Sequence, residues 1–207
     1  MKGLLRKDFY VIRGNLLPIG VMFVIVGSSI AFLTSPWVLA ILGTIMFGSV
    51  SASTIISDKS AQWDRFSATL PLSRLTVVSS KYALYGLLSL LGLLLGTLMA
   101  ILACLILGDW DRELMWFQIS LGTTVALVSG SISIPCGMRF SEEKATVAMM
   151  LSYAITAMVF AGIVIVPKVF FQMELSLFWT GLLGDLIGAA AFCVSWRCAG
   201  RYVPLVS

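Results

Sequence analysis

The chain has 207 residues, 59% of them hydrophobic and 12% charged, against about 25% charged in a water-soluble domain. That leaves too little polar surface for life in water and reads as an integral membrane protein. The net charge of +4 comes from Lys and Arg standing between apolar segments, which membrane topology explains better than nucleic-acid binding.

Histidine is absent, so the commonest general base, metal ligand and physiological pH switch is missing. Cys104, Cys136, Cys193 and Cys198 lie within or beside apolar runs without a CxxC spacing, and read as free thiols with packing roles.

Residues 1–14 place Leu5, Phe9 and Ile12 on one helical face, continued by Leu16, with Lys2, Arg6 and Arg13 on another. This predicts an amphipathic helix in the headgroup layer, its basic face toward anionic lipid. A secretory signal is the competing reading, but the apolar run that follows is too long and a second span comes almost at once. Six spans follow, at 16–33, 37–56, 82–107, 116–137, 145–166 and 177–196, each near the ~20 residues a helix needs to cross the hydrocarbon core. Only Thr34, Ser35 and Pro36 join the first two, which predicts a tight hairpin. The fold class is therefore all-α and polytopic, a single transmembrane domain over 1–207.

The longest polar interruption, 57–81, separates spans two and three. Trp63, Phe66 and Leu70 recur at helical spacing until Pro71 blocks continuation, while Asp58, Lys59, Gln62 and Arg65 fall largely on the other side. Ser73 is placed to cap a second piece whose apolar face, Leu75, Val78 and Tyr82, runs into span three. The result is a rigid elbow. With a cytoplasmic N-terminus, 12 basic residues fall inside and only Arg112 and Lys168 outside. Both termini and the elbow are then cytoplasmic. Trp37, Trp110, Trp116 and Trp196 fall near span ends, as an aromatic belt requires.

Small residues recur every fourth position at Gly122, Ala126 and Gly130, at Gly184 and Gly188, and at Gly92 and Gly96. Such ridges serve close packing inside the subunit or, less often, a dimer seam. Pro135 leaves a carbonyl unpaired near the end of span four, just before the polar loop Arg139–Lys144. Glu142 and Glu143 there read either as an acidic docking patch or as solvated acids at a helix start. Asp185 is the one acid well inside an apolar span. It must face other helices, either bonded to Ser or Thr across a close crossing or serving substrate or protons.

No GxxxxGK[ST], HExxH or GxSxG motif occurs, nor a plausible nucleophile–base pair on adjacent spans. Energetic work would draw on another polypeptide. The order of features resembles the membrane subunits of the ABC-2 type permease family, particularly compact bacterial members that include bacitracin, lantibiotic and phenol-soluble modulin exporter permeases. The likeness rests on the basic start LLRKDFYVIRG; on Asp58 and Lys59, then WDRF at 63–66, LPLSR at 70–74 and SKY at 80–82; and on Pro135 followed by Arg139, Phe140, Glu142, Glu143 and Lys144. It covers nearly the whole length, and the family more often has glutamate where Asp58 stands.

The resemblance implies a permease subunit, without a catalytic site of its own, in a homo- or heterodimer in the bacterial plasma membrane. It would be joined to cytoplasmic ABC ATPases that bind the ATP and Mg2+; the chain itself holds no cofactor or metal. The elbow would dock on the ATPase with Trp63, Phe66 and Leu70 as anchors around Pro71, and with Asp58, Lys59, Asp64, Arg65 and Arg74 as polar rim. An elbow merely lying on the inner leaflet is the plainer reading. The scarcity of buried charge suits export of an amphipathic peptide or hydrophobic drug-like molecule, as in antimicrobial peptide resistance. Two alternatives are a substrate-capture subunit of an energy-coupling-factor vitamin importer, whose alanine-spaced first span this chain lacks, and a non-transporting immunity or structural membrane protein.

Overall fold

The computed structural model describes residues 2–62, 73–108, 110–171 and 176–202. These form six α-helices in chain order: α1 (Lys2–Leu33), α2 (Val38–Ser60), α3 (Arg74–Leu107), α4 (Arg112–Arg139), α5 (Glu142–Phe171) and α6 (Leu177–Tyr202). Each contains a stretch apolar and long enough to cross a membrane. Apart from Trp37, one residue before α2, the predicted spans lie within these helices, which run past several of the predicted boundaries. Hydropathy marks only the most apolar part of each helix, whereas Arg74–Lys81 and Arg197–Tyr202 continue α3 and α6 through more polar sequence. Successive helices reverse direction. The chain start, the ends of α2, α4 and α6 and the starts of α3 and α5 therefore share one end of the bundle, here the basic end.

α2 is the central helix. Of its membrane-spanning stretch 61% is buried, against 11% for α5, and it packs against α1, α3, α4 and α5. Its composition explains this: Gly43, Gly48, Ala40 and Ala52 leave little side chain between backbones, and Thr44 and Thr54 return their hydroxyls to the carbonyls of Ala40 and Ser51, both at 2.7 Å. Gly92 and Gly96 of α3 lie directly on Gly43 and Leu39 of α2, so a Cβ at either would collide with main chain. The ridges at Gly122/Gly130 and Gly184/Gly188 likewise face side chains of α3 and α4. All three serve packing within the subunit, where tight van der Waals fit must replace the hydrophobic effect.

Two expectations are modified. The N-terminal segment is not a separate interfacial helix: α1 runs unbroken from Lys2 to Leu33, with Pro18 inside it. Nothing between Gly14 and Leu16 is a strong enough breaker to stop it, and at ~1.5 Å per residue its length exceeds the ~30 Å hydrocarbon core. Its inward face is also rotated from the predicted one. Ile12 is buried with Asp8, followed by Leu16, Ile19 and Phe23, whereas Phe9 is 52% exposed. Trp37 does not belong to an aromatic belt. It is 1% exposed and packs edge-to-face on Trp110 in the core formed by α1, α2 and α3, while Trp110, Trp116 and Trp196 remain exposed.

Candidate functional site

Of the described residues singled out from the sequence as candidate site residues, Asp58, Lys59, Arg139, Glu142, Glu143 and Lys144 lie at the basic end, with Asp185 apart from them. α2 ends at Ser60, and the main-chain N–H groups of Ala61 and Gln62 bond back to Ser57 and Lys59. α3 begins at Arg74 with Ser73 as its cap, its hydroxyl accepting from the Thr76 N–H at 3.2 Å. The predicted second piece of the elbow is thus the first two turns of α3. Trp63, Asp64, Arg65, Phe66, Leu70 and Pro71 lie outside the described residues, as does the side chain of Arg74.

Asp58 does not occupy a polar rim. It is 8% exposed and turns into the bundle, accepting from Lys81 Nζ at 2.6 Å and from Lys7 Nζ at 2.6 Å. Lys81 Nζ also lies 2.9 Å from both carboxylate oxygens of Asp8, itself 1% exposed. Two ammonium groups and two carboxylates therefore form a neutral cluster joining α1, α2 and α3. Buried charges persist only when each is paired. Lys59, by contrast, points along the surface and donates to the main-chain carbonyl of Phe140, linking the end of α2 to the α4–α5 turn. Arg139, Glu142, Glu143 and Lys144 are all exposed there, the two acids in the first turn of α5. That is the position the helix dipole favours for them.

Between α4 and α6 at this end lies a cavity of about 390 Å³ lined by Pro135, Cys136, Arg139, Phe140, Ser195 and Cys198. Above it, Ser195 of α6 donates to the main-chain carbonyl of Ser131, four residues before Pro135, and Tyr82 of α3 reaches Ser195 Oγ at 2.7 Å. The carbonyl expected to be orphaned by Pro135 thus has a partner from another helix. Cys104 is buried as a packing residue, whereas Cys193 and Cys198 are exposed on α6; none of the four cysteines is in a disulfide.

Asp185 sits eight residues from the opposite end of α6. Ser120 donates to its Oδ2 at 2.6 Å, and Thr123 and Thr124 donate to Oδ1, the latter at 3.0 Å. Gly181, Gly184 and Gly188 beside it lie against Ser120, Thr124 and Leu127, which brings the helices close enough for these bonds. Sequence reasoning gave no role to Lys7 or Asp8. The available signal was Asp8 one turn before Ile12 in an otherwise basic segment, an acid that must find a cation if that face is buried.

Six antiparallel apolar helices, closed by glycine-mediated backbone contacts and carrying most of their basic residues at one end, define a polytopic helical membrane subunit. A family model described as ABC-2 family transporter protein matches residues 3–199. The chain belongs to that family and is a membrane subunit of an ABC transporter. No curated protein and no solved structure matches it.

Proposed function

We propose that this subunit is the permease half of an ABC exporter, paired with a second permease subunit in the bacterial plasma membrane. Its motion is driven by a separate cytoplasmic ATPase that binds ATP and Mg2+. The ATPase docks on the connector between α2 and α3, with Trp63, Phe66 and Leu70 as anchors, Pro71 setting its bend, and Asp64, Arg65 and Arg74 at its margin. Arg139, Glu142, Glu143 and Lys144 form a second exposed polar surface beside it. The carrying observation is the backbone contact of α2 with α3 at Gly43, Gly92 and Gly96. The two helices that root the connector are a single packed unit, so force applied there moves both.

Placement of 12 of the 14 basic residues at one end supports a cytoplasmic face carrying both termini. The substrate class is an amphipathic peptide or hydrophobic drug-like molecule. Supporting this, an apolar groove of about 270 Å³ opens between α1, α2 and α3, lined by Phe23, Phe32, Leu39, Met99, Leu102 and Ile106.

The test is co-purification of the ATPase with detergent-solubilised permease, together with its crosslinking to positions 63 and 66 in intact cells. Trp63→Ala with Phe66→Ala is expected to abolish both. Unchanged co-purification overturns the docking assignment.

A further inference from the structure

α1 is a lightly packed neighbour of the two helices that root the connector. Only 17% of its membrane-spanning stretch is buried, and among the described residues it packs on α2 and α3 alone. Among the described residues, the first fully buried apolar side chain of α1 is Ile12, clustered with Val50, Leu84 and Leu88. The turns before it are gripped instead by charge. Asp8 meets Lys81 at 2.9 Å, seven residues into α3, and Lys7 meets Asp58 at 2.6 Å, two residues from the end of α2. Lys81 joins the two pairs by its 2.6 Å contact with Asp58. Both roots of the connector are thus tied to α1 and to each other by one neutral set of four charges, three of them less than a tenth exposed.

We propose that Asp8, Asp58 and Lys81 are positioning residues that clamp the N-terminal turns of α1 to the connector's roots, so that α1, α2 and α3 move as one body when the ATPase pulls. The directional bonds of buried, paired charges resist sliding in a way that apolar contact does not. The clamp itself is a property of this chain; its place in the transport cycle rests on the docking reading above.

Hydrogen exchange of the permease in lipid nanodiscs tests the clamp. Asp8→Asn with Lys81→Met removes one charge of each sign and leaves Lys7 balanced against Asp58, so the double variant keeps no uncompensated carboxylate. It is expected to exchange the amides of residues 4–12 at least tenfold faster than wild type, with α4–α6 unchanged, whereas Lys81→Arg retains protection. Exchange within twofold of wild type in the double variant, whose Lys7–Asp58 pair still ties α1 to α2, overturns the clamp through Asp8 and Lys81. In the ATPase-bound complex, spin labels at Gly3→Cys and Thr76→Cys in a cysteine-free background are expected to hold their separation on vanadate trapping. A Gly3→Cys and Arg197→Cys pair changes its separation. A shifted 3–76 distance in the otherwise wild-type complex overturns the one-body motion. Failure of the ATPase to bind while residues 4–12 stay protected refutes the docking reading and withdraws the coupling role, with the clamp standing on the exchange data.

Discussion

Ser195 on α6 donates its hydroxyl to the main-chain carbonyl of Ser131 on α4, the acceptor that Pro135 deprives of its intrahelical N–H. A proline inside a membrane helix is tolerated when a neighbouring helix restores the lost bond, and here Tyr82 of α3 completes the chain of hydroxyls.

Ser195→Ala leaves the carbonyl and the Tyr82 hydroxyl without that partner. It is expected to destabilise the fold by about 1–3 kcal/mol, read as the midpoint of unfolding in detergent. Pro135→Ala returns an N–H to the helix, so Ser195→Ala made in that background should cost clearly less. Equal costs in the two backgrounds would show that Ser195 acts through something other than the orphaned carbonyl.

Two glycines of α3 make a matched comparison. At Gly96 an added Cβ would stand 2.8 Å from Ala40 Cα, whereas at Gly86 it would meet nothing within 4 Å. Gly96→Ala forces α2 and α3 apart and is expected to cost about 1–3 kcal/mol despite its better helix propensity. Gly86→Ala should be neutral or stabilising by up to about 1 kcal/mol. Thermal unfolding of the two variants side by side checks the contrast.

Three hydroxyl donors on one carboxylate mark Asp185 as a structural hydrogen-bond acceptor. Asp185→Asn keeps a carbonyl oxygen for Thr123 and Thr124 and should cost about 1 kcal/mol or less, near the average for polar contacts between membrane helices. Asp185→Leu removes every acceptor and should cost about 2 kcal/mol. Transport activity of Asp185→Asn is expected to remain within twofold of wild type at equal expression. A loss beyond tenfold in a normally folded variant would assign the carboxylate a role in substrate or proton handling.

The connector leaves α2 through Gln62, which has φ 53°, and enters α3 through the Ser73 cap. Gln62→Gly relieves a left-handed residue of its Cβ and should be tolerated or mildly stabilising. Ser73→Ala removes the cap, at a cost of about 1 kcal/mol. Amide exchange of residues 74–78 should quicken in Ser73→Ala and stay unchanged in Gln62→Gly.

Much of this was legible before any coordinates. The six spans, the tight turn at Thr34–Pro36, the Ser73 cap, the carbonyl left by Pro135 and the need of Asp185 for hydroxyl partners each follow from residue type and local spacing. The partners themselves were not. Asp8 meets Lys81 across 73 positions and Tyr82 meets Ser195 across 113. Asp58, read from its surroundings as an outward charge, turned inward because the cations on α1 and α3 sit opposite it.

Lipid imposes its demand on every residue of a span, so hydropathy and small-residue spacing alone determined the class of this protein, its six crossings and which faces permit close approach. How far each helix is rotated about its own axis is set by neighbours distant in the chain. Only the assembled bundle decided that α2 is the hub, that Trp37 is core, and that four charges near the connector hold one another.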